Sequence, residues 1–285
     1  MSYNSNLNAE NDNSIIRIAM CVEYQGTNYQ GWQVQSHTNA TVQAKVEAAI
    51  SLVAGEAISV ICSGRTDAGV HAVGQIIHFD TKARRRAYNW VVGCNTNLPN
   101  DIRISWAIEV AKTFNARRSA YWRRYIYVVS NDPFRPVIGR NYLTWCKKKL
   151  NENNMLESAK YLVGEHDFTS FRDAECQSKT AIRCIQDFQI TRLGKFIFFD
   201  IIANAFLHHM VRNMVGSLLR VGAEKAAPAW IKEVLEKRDR KLAGITAPAN
   251  GLFLFEVGYS LDFNLPSVNT SWLFNYVPKT KVGEI

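Results

Sequence analysis

Eight consecutive residues, Gly64-Arg65-Thr66-Asp67-Ala68-Gly69-Val70-His71, lie between two strand-like runs and set one carboxylate beside one guanidinium. A neighbouring opposite charge favours the ionised form of an acid, so Asp67 can keep its charge when partly buried. That is the state a nucleophile or general base needs. Asp and Gly are also common turn formers, and composition alone leaves the turn reading open. A second segment, Phe114-Asn115-Ala116-Arg117-Arg118-Ser119-Ala120-Tyr121-Trp122-Arg123-Arg124-Tyr125-Ile126-Tyr127, interleaves arginines with aromatic rings. Guanidinium groups meet phosphates and rings stack on unpaired bases, so the pattern suits single-stranded RNA. On a strand, Arg123, Tyr125 and Tyr127 share one face while Arg124, Ile126 and Val128 share the other. An edge strand with snorkelling arginines fits the same residues.

The third segment is Ala205-Phe206-Leu207-His208-His209-Met210-Val211-Arg212-Asn213-Met214-Val215-Gly216. It reads as the opening of a helix from Ala205 to Val221, with Leu207, Val211, Met214 and Leu218 as its core stripe. Successive helical residues point about 100° apart, so His208 and His209 are not expected to share a metal ion. Arg212, four residues after His208, is placed to pair with a carboxylate across a cleft; a solvated helix arginine is the alternative.

The chain has 285 residues, a formal net charge of +9 and a sequence pI near 9.3. That balance points to an anionic partner without naming it. Arg84, Arg85, Arg86, Arg118, Lys147 to Lys149, Lys179, Arg183, Lys237, Arg238, Arg240 and Lys241 are candidates for a phosphate track, although charge runs are also ordinary solvated faces. Phe196 to Leu207 is the nearest approach to an apolar span, but Asp200 and Asn204 interrupt it well short of the roughly 18 residues a bilayer requires. No membrane association is expected. Met1 to Asn13 is rich in Asn and Ser and reads as a disordered tail rather than a signal peptide. Six cysteines lack any C-x-x-C pair, which argues against a zinc ribbon or disulfide framework and for a reduced, cytoplasmic protein.

The elements that must hold these segments repeat in two halves. Strand alternation runs from Ile16 to Tyr24, and Thr41 opens a helix that Gly55 closes. Strands Ile58 to Cys62 and Gln75 to Phe79, a weaker helix from Arg84 to Val92 and strand Ile102 to Val110 complete the first half. The second half follows with strand Tyr121 to Val129, helix Glu152 to Val163, and strands Ile182 to Thr191 and Phe196 to Ala203. The long helix from Ala205, a short helix Ala229 to Glu236 and strand Leu252 to Tyr259 close it. Each half reads β-α-β-β-α-β, which gives an α+β protein of two ferredoxin-like, RRM-like lobes with antiparallel sheets side by side and a basic cleft between them. The lobes are expected at 14–114 and 115–263, with tails at 1–13 and 264–285, and Trp272 and Phe274 tucked onto the surface.

In sequence order, Glu23-Tyr24-Gln25-Gly26-Thr27-Asn28-Tyr29-Gln30-Gly31-Trp32-Gln33, the Gly64 to His71 segment, Gly74 to Phe79, Asn97 to Ile102, Phe114 to Arg117 and Arg124 to Tyr127 resemble the TruA family. So do Gly164 to Phe171, the His208 to Gly216 segment and Ala247 to Leu254. The resemblance covers residues from about 15 to about 260 and implies the pseudouridine synthase fold. It also implies a homodimeric isomerase that converts tRNA uridines 38, 39 and 40 in the anticodon stem-loop to pseudouridine, with neither cofactor nor metal. By the same resemblance Asp67 is the nucleophile, Arg65 displaces the target nucleotide, Tyr125 stacks on its base, Arg212 pairs with Asp67, and Leu252 lines the uracil pocket. Further RNA contacts are expected from His71, Gln75, Arg117, Arg123, Arg124 and Lys179. Gln25 stands where many relatives carry an aspartate, which bears on loop or RNA contacts. Two rivals remain at this stage: a passive RNA-binding module, and an N-glycosidic enzyme that releases free uracil.

Overall fold

The computed structural model describes residues 14–36 and 38–267. The expected tail at 1–13, and Trp272 and Phe274, lie outside the described residues. Strand β1 (Ile16–Tyr24) pairs antiparallel with β3 (His71–Thr81) on one side and with β4 (Ile102–Val110) on the other. Helix α1 (Val42–Ala54) starts where the Thr41 side chain accepts from the Ala44 amide and stops at Gly55, whose φ of 74° no β-carbon favours. Its Val42, Val46, Ala49 and Ile50 are buried, the stripe that the sequence spacing describes. Strand β2 (Ile61–Cys62) and helix α2 (Ala87–Asn97) complete the first half.

The second half contains β5 (Trp122–Asn131), β6 (Thr144–Cys146), α3 (Glu152–Ala159), β7 (Gly164–Asp167), β8 (Ile182–Leu193) and β9 (Phe196–Ala203), followed by α4 (Met210–Gly222), α5 (Trp230–Lys237) and β10 (Leu252–Gly258). The main sheet runs β4-β1-β3-β10-β5-β9-β8-β7. In each half the first strand lies between the last two, as β4-β1-β3 and β10-β5-β9, which is the arrangement a split β-α-β unit produces. The two sheets are joined as one. β3 and β10 pair in parallel through His71 with Phe253 and Ala72 with Leu254, so the chain leaving the Asp67 loop and the chain leaving Leu252 start at the same level.

The core covers one face, where Tyr127, Phe199 and Ile201 meet Met155, Met214 and Leu218 of the second-half helices. A smaller cluster on the other face holds Val73, Ile126, Val128, Leu143, Phe253 and Phe255. Several boundaries differ from the sequence reading. β3 begins at His71, four residues before Gln75, and β2 keeps only two of five residues. α2 runs to Asn97 rather than Val92 because Gly93 lets it lie against Val53 of α1, where an added Cβ would come to 2.9 Å. α4 begins at Met210, not Ala205, since His209 takes a left-handed φ of 59° that no α-helix continues through. β6 and β7 are three and four residues long, too short for alternation to show.

Two histidines on β3 make stability depend on pH. His71 is 1% exposed and His78 2% exposed; each Nδ1 accepts a backbone hydrogen bond, from Gly26 and Ala116 respectively. Burial holds both rings neutral, lowering His71 below its ordinary range and His78 to about 4, the latter also through Arg17. Above pH 6.5 neither state binds the proton and the contribution is fully present; as pH falls from 6.5 toward 4 the unfolded chain takes up protons that the folded chain refuses. Unfolding free energy measured with urea is therefore expected to fall between pH 7 and pH 5, each histidine adding a slope of up to about 1.4 kcal/mol per pH unit. A flat profile, or an unchanged one in His78→Gln, would contradict buried neutral rings.

Candidate active site

Asp67 stands on the loop between β2 and β3, and that loop is held from below by three elements. Gln75 of β3 accepts from Ser63 Oγ at 2.6 Å and donates to Gly64 O at 2.6 Å. Tyr24 of β1 shares a 2.7 Å hydrogen bond with the Thr66 hydroxyl. Trp32 donates its amide to Thr66 O at 3.0 Å from a chain turned by Gly31, where φ is 83° and an added Cβ would lie 2.7 Å from the same oxygen. Gly31→Ala would thus push directly on the residue before Asp67.

Across the loop, the first turn of α4 brings Arg212 to the carboxylate, with Nη1 2.9 Å from Asp67 Oδ2. Nε of the same guanidinium donates to Ala247 O at 2.8 Å, which fixes its plane. His208 and His209, immediately before the helix, add Nε2 contacts of 3.4 Å to Oδ1 and 3.3 Å to Oδ2. The positive end of the α4 dipole faces the same group. With 18% of its side chain exposed, Asp67 has lost much of its water, and a charge so placed costs several kcal/mol unless it is paired. Arg212 is that pair.

These groups form part of the wall of a cavity of about 800 Å³ that also includes Arg65, Arg117, Tyr125, Phe206 and Leu252. Tyr125 is 8% exposed and meets Phe206 edge to face at 4.9 Å; burial, and then the Asp67 charge, push its hydroxyl pKa upward, so it stays a neutral ring. Arg65 and Arg117 are exposed on the lip. Lys179 is exposed beside Ser178, which lines the cavity. From the wider phosphate track, Arg183 also lines the cavity, whereas Arg240 is bound to Asn213, Gly244 and Thr246.

Four of the residues expected to contact RNA are bonded within the protein itself. Arg124 points to the opposite face of the sheet, where it holds Asp200 at 2.8 and 2.5 Å and lies 3.7 Å from Glu256, so its charge is spent on a buried ion pair. His71 is buried outside the cavity, stacked on Phe253 at 4.8 Å with both ring nitrogens bonded to backbone. Gln75 is fully buried and its amide positions the Asp67 loop, as above. Arg123 belongs to the cavity wall, but its guanidinium donates to carbonyls of Ser63, Arg117, Ala120 and Asn204 and clasps those segments together.

The helical-spacing argument about the two histidines also fails, because they precede the helix and their rings stack at 4.0 Å. Asp67, His208 and His209 present three ligand-type atoms within 4.8 Å of one another. Arg212 already places a full positive charge on that carboxylate, which disfavours a divalent cation beside it. Sequence reasoning missed Asp173, whose Oδ2 lies 2.7 Å from His209 Nδ1; an acid in the irregular run Arg172-Asp173-Ala174-Glu175 carries no periodic signal.

A family model described as tRNA pseudouridine synthase matches residues 20–117 and 158–260. The chain is 49% identical over 259 residues to tRNA pseudouridine synthase A of Aliivibrio fischeri strain MJ11, covering 91% of this chain and 98% of that protein. It is 48% identical to the protein of that name from Colwellia psychrerythraea, across 91% of this chain and 100% of the relative. The Alcanivorax borkumensis protein of the same name is 48% identical across 88% of this chain and 94% of its own length. With a family model matched over most of its length and relatives nearly half identical almost end to end, the chain belongs to the tRNA pseudouridine synthase family.

Proposed function

We propose that the chain converts uridines 38, 39 and 40 in the anticodon stem-loop of tRNA to pseudouridine, with Asp67 as nucleophile. The observation that carries this reading is the Asp67–Arg212 ion pair at the floor of a basic cavity whose wall includes Tyr125 and Leu252. A uridine inside a stem cannot turn its base, so it leaves the stack at a cost of a few kcal/mol. Stacking on an aromatic ring returns about 1 to 3 kcal/mol per base, and Tyr125 offers that ring. Arg65, exposed on the lip, reaches for the phosphate and the vacated space. Asp67 then acts on the sugar C1′ or the uracil ring, or assists elimination across the sugar. The C1′–N1 bond breaks, the base turns, and C1′ joins C5 with loss of the C5 hydrogen. Arg117, Lys179 and Arg183 extend the positive track for the backbone. We read residues 14–114 and 115–263 as the two lobes that grip the arm, a cytoplasmic homodimer as the working form, and turnover as free of metal and cofactor.

Tritium release tests the reaction. Unmodified tRNA labelled at uridine C5 should lose label to water in proportion to enzyme turnover; a passive RNA-binding module would bind and release none. Tyr125→Phe should keep most tRNA affinity and activity, while Tyr125→Ala should lose about 10-fold or more in kcat/KM, the lower part of the stacking range. Equal rates in the alanine variant would remove the stacking role. Affinity should also drop steeply with salt as phosphate contacts release counterions, and a flat response would contradict the charged track.

A further inference from the structure

Behind the nucleophile sits a second carboxylate. Asp173 follows the turn at Thr169–Phe171 and reaches both imidazoles from the side away from Asp67, with contacts of 2.7 Å to His209 Nδ1 and 3.5 Å to His208 Nδ1. The same two rings turn Nε2 toward Asp67, at 3.3 Å and 3.4 Å. Two carboxylates are therefore bridged by two stacked imidazoles. The Asp173 amide donates to His208 O at 3.1 Å, which ties its loop to the histidine segment. Burial works against the Asp173 charge, but hydrogen bonds from the Glu175 amide and the His209 ring hold its carboxyl below the usual range.

Counting protons fixes the chemistry. A 2.7 Å contact with a carboxylate puts the hydrogen of a neutral His209 on Nδ1, which leaves a lone pair on Nε2 facing an anionic oxygen of Asp67. Such an Nε2 is a base aimed at the nucleophile. Two carboxylates, Asp67 and Asp173, face the imidazole pair against the one guanidinium of Arg212, so a positive charge arriving on His209 has a carboxylate on either side. The remaining charged groups around the cavity are Arg65 of the Asp67 loop, Arg117 and Arg123 before and on β5, Arg183 of β8 and Glu175 beside Asp173; none is ion-paired to either imidazole among the described residues.

We infer that His209, oriented by Asp173, is the proton acceptor that returns Asp67 to its ionised form during turnover. This rests on the pseudouridine reading. Once C1′ is joined to C5, the proton that Asp67 takes from C5 passes from Oδ2 to His209 Nε2: the C5–H bond breaks and its electrons restore the ring, the O–H bond breaks as the N–H bond forms, and the positive charge is held by Asp173. It then leaves to water in the cavity, where His208 is 38% exposed, and the freed uracil N1 takes a proton from water, so that atoms and charge balance with no redox partner. Carboxylate, imidazole and nucleophile stand in the same order as in a hydrolytic triad. The 3.3 Å gap is of the kind that tightens when substrate closes the site.

Two measurements test this. Ring ¹⁵N NMR of the unaltered protein should show His209 with its hydrogen on Nδ1, strongly hydrogen-bonded; an Nε2–H tautomer would overturn the inference whatever the activity. Tritium release followed from pH 5 to 9 should show Asp173→Asn with KM within about two-fold and kcat down roughly 10-fold. The acid limb of its kcat profile should move to lower pH, because an imidazole stripped of its counter-ion takes up a proton less readily. His209→Gln should lose a similar factor in kcat and flatten that limb. An acid limb that stays in place in both variants would contradict the relay. Should Asp173→Asn fail to fold, His209→Gln and the tautomer still decide. Should the unaltered protein release no tritium, the proposed reaction fails while the tautomer still tests the Asp173–His209 bond.

Discussion

Asp67→Asn is expected to lower product formation by roughly four orders of magnitude or more, the scale on which loss of a nucleophile is felt. The asparagine has the same shape and its oxygen can still accept from Arg212, so the loop held by Tyr24, Trp32 and Gln75 keeps its place. What disappears is the negative charge. An amide neither attacks an electron-poor carbon nor removes a proton at neutral pH. The affinity for tRNA should stay within a few-fold, because binding energy is spread over phosphates along the cleft rather than concentrated at one carboxylate. Filter binding and single-turnover assays on the same preparation separate the two effects. Turnover near that of the unaltered protein would remove Asp67 from its role.

Arg212→Ala is the second large effect. The guanidinium holds Asp67 Oδ2 at 2.9 Å and Ala247 O at 2.8 Å, and neither partner is well exposed. Removing it leaves a half-desolvated carboxylate without its guanidinium partner, and a carbonyl without its donor. The loss should be about 3 to 4 kcal/mol, or two to three orders of magnitude in kcat/KM. Arg212→Lys should recover part of it, since an ammonium supplies the charge but not the planar fork that binds both oxygens at once. A kcat/KM within three-fold of the unaltered protein in the alanine variant would show that the pair is incidental to catalysis.

Where an element carries a repeated pattern, its place can be read before any coordinate is known. The Thr41 cap, the Gly55 stop and the buried stripe between them follow from hydrogen-bond and conformational rules that act within one helix. Alternation on β1 does the same for the sheet. The site divides along the same line. Asp67 and Arg212 could be placed opposite one another because each sits in a short motif whose neighbours resemble a known family. The fate of Arg124 and His71 could not, because one strand offers two faces and only the distant Asp200, Glu256 and Phe253 decide which charge or ring each face must meet. The αL turn at His209 was hidden for a related reason. His208 and His209 lie within an apolar periodicity that a helix would also produce, and the carboxylate that accepts from His209 belongs to Asp173, 36 residues earlier in the chain.

The most direct measurement is a position-resolved nucleoside analysis of unmodified tRNA after incubation with the protein. Pseudouridine should accumulate at positions 38, 39 and 40 with the RNA chain and its mass unchanged, and Asp67→Asn should leave uridine at all three. Free uracil in the supernatant, modification confined to other positions, or pseudouridine formed equally by the asparagine variant would contradict isomerisation at an Asp67 cleft.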